Sequence, residues 1–116
     1  MDIEKIKNAL EIARLLDDSA SQIISGDGRN VIVRSRDAGV IYGKFAGADG
    51  STIHLRDGRQ LWKWFAAKGH TLIDVAEYGV DASKCKFSPA SATVTVFNAC
   101  ALIDVSDKAA KSIEAA

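Results

Sequence analysis

Short β-branched runs separated by glycine turns occupy residues 31–65 and constrain the fold more than any other stretch. Val31-Ile32-Val33-Arg34-Ser35-Arg36 predicts a first strand. Asp37-Ala38-Gly39 predicts a turn, and residues 40–46 a second strand. Ala48-Asp49-Gly50 has hairpin chemistry, because glycine accepts positive φ without steric cost. Thr52 to Arg56 alternates cleanly, with Ile53 and Leu55 on one face and Thr52, His54 and Arg56 on the other. Asp57-Gly58 predicts another tight turn, followed by a fourth strand from Gln60 to Phe65. Strands joined by such short links make an antiparallel meander.

Helical patterns flank this block. Ile3, Ile6, Leu10, Ala13 and Leu16 repeat at three- and four-residue steps, which predicts an amphipathic helix over 2–17. Ala9, Ile12 and Leu15 widen its stripe enough to serve either one broad core contact or a core and a second subunit. Ser25 to Gly28 reads as a loop. Residues 71–79 read as a short helix, with Thr71 as its cap, Asp74 in the first turn and Gly79 at the exit. Residues 80–91 look irregular and hold the single proline, Pro89. Thr93 to Phe97 alternates as a strand, Asn98 marks a bulge or bend, and Ala99 to Val105 continues in apolar character. Ser106 or Asp107 caps a final helix running through Ile113. The expected fold is α+β: an N-terminal helix, a small antiparallel meander or partial barrel, a short helix, late strands and a C-terminal helix. It forms one domain over 1–116, with helix and linker in 1–24, the β-rich core in 29–105 and the last helix in 106–116.

A chain of 116 residues with 47% hydrophobic content can bury a core without disulfides or metal. Fifteen basic and fifteen acidic residues cancel, so no global field draws the molecule to a nucleic acid or an anionic membrane. The balance is not local. Residues 29–63 carry Arg29, Arg34, Arg36, Lys44, Arg56, Arg59 and Lys63 against Asp37, Asp49 and Asp57. Cys85, Cys100, His54 and His70 fall in no metal-ligand spacing, so neither a metal nor a cofactor is expected. Cys100, within an apolar run, reads as a small core residue and Cys85 as an ordinary reduced thiol. No apolar run approaches the roughly 20 residues a membrane helix needs, and a cytosolic protein is expected.

Both tryptophans and three of the fifteen basic side chains fall between Arg56 and Phe65. Aromatic planes stack on a nucleotide base, and guanidinium forks grip phosphate in two-pronged fashion. Arg34 and Arg36 share a strand face, Arg56 shares one with His54, and Trp62 and Trp64 share one with Gln60. At least one tryptophan is expected in the core, where indole area dominates small domains. Trp62 is the better core candidate and Trp64 the better ligand candidate. Phe87 either folds onto the core or stacks on a base. Asn98 either caps the local backbone or offers its amide to a base edge or ribose. Candidate ligand-binding residues are therefore Arg34, Arg36, Arg56, Arg59, Trp62, Trp64, Phe87 and Asn98. No nucleophile–base arrangement, Gly-x-Ser-x-Gly or phosphate-loop motif is present, and a binding protein rather than an enzyme is expected.

An ordered set of motifs carries a resemblance. It comprises Val31-Ile32-Val33-Arg34, Ala38-Gly39-Val40, Gly43, Arg59-Gln60-Leu61-Trp62-Lys63-Trp64, Thr71-Leu72, Tyr78-Gly79-Val80, Cys85-Lys86-Phe87 and a closing Ala-x-x-Ile. Over residues 31–114 this set resembles a family of small phage and prophage proteins. The group resembles in turn the phage anti-Thoeris sponges. That resemblance implies capture, without cleavage, of cyclic ADP-ribose-type signals, or of cyclic oligonucleotides from CBASS defence. It also implies a homo-oligomer, dimer or hexamer, in the host cell cytosol. The chain departs from the pattern at Gly58, where the family often carries a bulky or basic residue, and it has no arginine after Arg59. The alternatives are a small nucleic-acid-binding module, disfavoured by the balanced charge, and a phage structural or interaction module.

Overall fold

A computed structural model describes residues 23–116. The helix expected over 2–17 lies outside the described residues. The described chain is α+β. It runs β1 (Ile23–Ser25), β2 (Asn30–Ser35), β3 (Gly39–Asp49), β4 (Thr52–Lys63), α1 (Leu72–Tyr78), a 3-10 turn (Ala82–Lys84), β5 (Lys86–Phe87), β6 (Ser91–Val96), β7 (Ala99–Asp104) and α2 (Asp107–Ala115). The described strands form one antiparallel sheet in the order β5-β4-β3-β2-β7, with β6 beside β4 and β1 beside β3. Ile23 to Ser25 pairs with Asp49 to Gly47, so part of the expected linker and loop is strand.

Two consecutive strands sit on opposite margins of this sheet. β6 pairs with β4, whereas β7 pairs with β2, and only Phe97 and Asn98 link them. So short a link requires the sheet to curl until its margins approach, which makes a partial barrel. Asn98 turns the chain there with φ of 55°. Ser35 secures the junction, donating its hydroxyl to the Phe97 carbonyl at 2.9 Å.

Period-two alternation sends successive β2 residues to two cores. Val31 and Val33 face the concave side with Ile41, Phe45, Ala48, Ile53, Leu55 and Val96. Ile32 faces the other side with Tyr42, Leu61, Val75, Ala76, Val80, Val105, Ala109, Ala110 and Ile113. That second core is the layer where α1 and α2 cover the sheet. β2 and β3 are buried on both faces, which is why Val31-Ile32-Val33 is apolar without interruption.

The turn expected at Asp57-Gly58 is instead a bulge inside one long strand. Tyr42 pairs with Arg59 and Lys44 with Arg56, so β4 holds one residue more than β3 across this interval. Asp57 absorbs the extra residue with φ of 51°. The strand therefore continues, and its facing reverses. Ile53 and Leu55 point into the barrel, while Leu61, also odd-numbered, points to the helices. A compensating irregularity lies between Phe45 and Gly47 on β3.

α1 starts as the sequence predicts. Thr71 and Asp74 form a reciprocal capping box, and the Gly79 amide donates to the Val75 carbonyl at the exit. Ser106 caps α2 by accepting from the Ala109 amide. Cys100 is a correction: it is exposed, because β7 is a margin strand and its alternate residues face outward. Among the described residues no helix is long and apolar enough to cross a membrane.

Two outcomes test this architecture. A Cβ placed on Gly58 would stand 2.6 Å from Val94 Cγ2, so only glycine lets β6 approach the bulge. Gly58→Ala should lower unfolding free energy by about 1–3 kcal/mol in urea titration. Asp74 is held below the ordinary carboxylate range by the Thr71 amide first, then by the Thr71 hydroxyl and the His70 amide. Its contribution is present above the unfolded-state carboxylate value and is lost as pH falls through its lower folded value. Asp74→Asn should therefore flatten that acid limb in a stability–pH profile.

Candidate functional site

The β2–β3 turn builds the site. Ser35 is buried at its base, and its hydroxyl accepts from the Asp37 and Ala38 amides at 3.3 Å while donating to Phe97. These bonds fix the turn, and Gly39 completes it with φ of 79°. Arg34 and Arg36 flank this anchored serine, and both are exposed. Across from them the chain leaves β4 at Lys63, and Trp64 turns back to pack half-buried against the helix-side core. Arg34, Ser35, Arg36, Gly39, Val40, Trp64 and Leu72 line one groove of about 570 Å³. Neither Arg34 nor Arg36 joins an ion pair among the described residues.

The groove thus places two guanidinium groups, free of ion pairs among the described residues, beside an indole and two aliphatic walls. Its size falls in the range of small-ligand sites. Forked donors suit a phosphate or carboxylate, and the indole suits a flat ring. A second cavity of about 450 Å³ shares Trp64 as a wall and is lined also by Phe65, Ala66, Gly69, His70, Asp81 and Lys84. The Asp81 carboxyl is held below its ordinary value, first by the Ser83 hydroxyl and then by the Ser83 amide and Lys84.

The other expected residues go elsewhere. Arg56 is opposite Lys44, whereas Arg34 is opposite Val40. Those positions are four residue steps apart along β3, about 13 Å of strand. Arg56 lines a separate hollow with Gly26, Gly28, Lys44, Phe45, Ala46 and Asp57. Arg59 is engaged in holding the fold. Its Nε donates to the Ser88 carbonyl at 2.8 Å, and its terminal nitrogens donate to the carbonyls of Ile113 at 2.7 Å and Ala116 at 3.0 Å. Its guanidinium also lies 5.3 Å from the Phe87 ring centroid. The Ile113 and Ala116 carbonyls lie at the end of α2, where a helix leaves acceptors without internal partners and favours a cation. Phe87 pairs with Leu61 and packs on the helix-side core. Asn98 serves the local turn, donating to Asp37 at 3.3 Å.

Trp62, the expected core residue, is instead 73% exposed, whereas Trp64 packs half-buried against the helix-side core and also lines the groove. The bulge explains the exposure of Trp62. With facing reversed after Asp57, Leu61 takes the core position and Trp62 points to the opposite face. There β5 rather than β6 flanks β4, and Trp62 belongs to neither core. Lys86 Nζ lies 5.8 Å from that ring.

Beneath Arg59, Tyr42 is buried and its hydroxyl has no partner among the described residues. Burial first, and the Glu114 charge second, push its ionisation upward, so it stays a neutral phenol. Sequence reasoning missed Ser35, Gly39, Val40 and Leu72 as groove residues. The Asp37-Ala38-Gly39 turn signal was the available clue, since it directly follows the two arginines.

Arg59→Lys should cost about 1–3 kcal/mol of stability, because an ammonium cannot reproduce the forked bonds to those carbonyls. Trp62→Ala should change the melting temperature little. Thermal unfolding of both variants separates the anchoring residue from the exposed one.

A family described as Domain of unknown function (DUF6948) matches the chain over residues 28–113. No curated protein and no solved structure matches it.

Proposed function

We propose a function for a chain that belongs to the DUF6948 family: it binds a cyclic nucleotide immune signal and sequesters it without cleaving it. The observation that carries this reading is the groove in which Arg34 and Arg36, both free of ion pairs among the described residues, face the half-buried Trp64. Two arginines supply forked donors for a phosphodiester or pyrophosphate, and the indole supplies the surface for a base. The Ser35 hydroxyl fixes the backbone of the turn that follows Arg34 and carries Arg36, which supports a stable groove wall. The resemblance to phage anti-defence sponges gives the setting: a signal of cyclic ADP-ribose type, or a cyclic oligonucleotide, held in the host cytosol. The binding residues of this reading are Arg34, Arg36 and Trp64, with Leu72 and Val40 as apolar walls. Arg56 lines a different hollow, and Arg59 and Phe87 are structural.

A second reading draws on Trp62. An exposed indole with Lys86 beside it also suits stacking on a single strand. The balanced net charge weighs against it.

Thermal shift of the full chain against cyclic ADP-ribose isomers and cyclic di- and trinucleotides tests the proposal. A true ligand at one hundred times its Kd should add about 2.7 kcal/mol of apparent stability. Arg34→Glu and Arg36→Glu should each weaken that ligand by about 10- to 100-fold while leaving the ligand-free melting temperature nearly unchanged. Heating the complex should return the nucleotide intact. Absence of any shift, or recovery of a hydrolysed product, overturns the proposal. A steep salt dependence of single-strand binding that is lost in Trp62→Ala would favour the second reading.

A further inference from the structure

We propose that the free margin of β6 is the surface through which a second copy of this chain pairs. β6 meets β4 along one side, from Ile53–Val96 to Gly58–Ser91, and no strand along the other among the described residues. A margin strand exposes a row of amide and carbonyl groups ready to template another strand. Proteins ordinarily blunt such margins with charge, proline, a bulge or extreme shortness. The other margins here carry those devices. β5 has two residues and includes Lys86, β1 has three residues, and β7 is bulged at Cys100 where its register against β2 shifts.

β6 has none of them. It runs six residues, Ser-Ala-Thr-Val-Thr-Val, and its pairing with β4 from Ile53 to Arg56 proceeds without a register shift. No Asp, Glu, Lys or Arg occurs from Phe87 to Ile103. Thr93 and Thr95 are exposed, and Phe97, just past the strand, is 65% exposed. A bare, uncharged, β-branched margin suits an extended partner that is itself uncharged there, since burying a charge against it would lack compensation.

The chain's own β6 meets that requirement. A two-fold antiparallel pairing presents one patch to itself. Centred on Val94, it sets each copy's Thr93 opposite the other's Thr95, a cross-strand pair that stabilises sheets, with no like charges facing. Val94 and Val96 stay on the core side in both copies, so the register preserves each copy's barrel interior. The barrels then share one continuous sheet. This pairing does not involve the groove lined by Arg34, Arg36 and Trp64, and it stands or falls separately from nucleotide binding.

Light scattering after size exclusion, sedimentation equilibrium and hydrogen exchange on the full chain test the pairing. The wild type should form a dimer, with exchange of the 91–96 amides slowing as concentration rises. Thr93→Lys and Ala92→Lys, both at exposed positions, should each weaken the dimer by about tenfold or more and restore fast exchange in 91–96. Near-ultraviolet circular dichroism confirms that each variant folds. If one does not, the other variant and the wild-type exchange data carry the test. A wild-type monomer at every concentration overturns the inference. So does an assembly indifferent to both lysines, one larger than a dimer, or 91–96 protection independent of concentration.

Discussion

One inserted residue in β4 governs where the remaining side chains go. A strand exchanges its two faces whenever an unpaired residue enters one side of the ladder, because side-chain alternation has period two. Asp57 is that residue, held at φ of 51° and followed by Gly58, which lets Val94 come close. Upstream of it, Ile53 and Leu55 fill the barrel interior. Downstream, Arg59 and Leu61 turn to the helix layer and Trp62 turns to solvent. Without the bulge, β4 would present Leu61 to the wrong core and give α2 no arginine at its end.

Arg59 shows what that redirection achieves. Its guanidinium gathers the carbonyls of Ser88, Ile113 and Ala116 while lying against Phe87. A helix end, a loop and a two-residue strand converge on one side chain. The fork geometry that suits phosphate suits backbone oxygen equally well, so arginine in a sequence does not by itself distinguish a ligand contact from an internal one. Only Arg34 and Arg36, held by the Ser35-anchored turn, combine freedom from ion pairs among the described residues with a position beside an indole.

The partial barrel follows from a similarly local cause. A two-residue link between β6 and β7 forces the sheet margins toward each other, since strands so connected must either pair or cross to opposite edges. Here β6 takes β4 and β7 takes β2. The curl shelters Val31, Val33 and Phe45 inside and leaves the convex face for α1 and α2.

The amino-acid order alone determined the α+β class, the β2–β3 hairpin and the Thr71 cap, and narrowed the last cap to Ser106 or Asp107, because periodicity, turn glycines and capping residues act over a few neighbours. Of the eight candidate residues it named, Arg34, Arg36 and Trp64 line one groove, and Arg56, Arg59, Trp62, Phe87 and Asn98 lie outside it. It misread Asp57-Gly58, since a positive-φ pair looks the same in a hairpin turn as in a bulge. It misassigned Trp62 and Cys100 because both exposures depend on tertiary pairing: the bulge sets which face Trp62 takes, and β7 lies at the sheet margin. Tertiary structure decided which arginine meets a carbonyl, which meets open groove, and which tryptophan is covered. Those outcomes are set by pairing between residues far apart in the chain, and a bulge changes every facing beyond it at once.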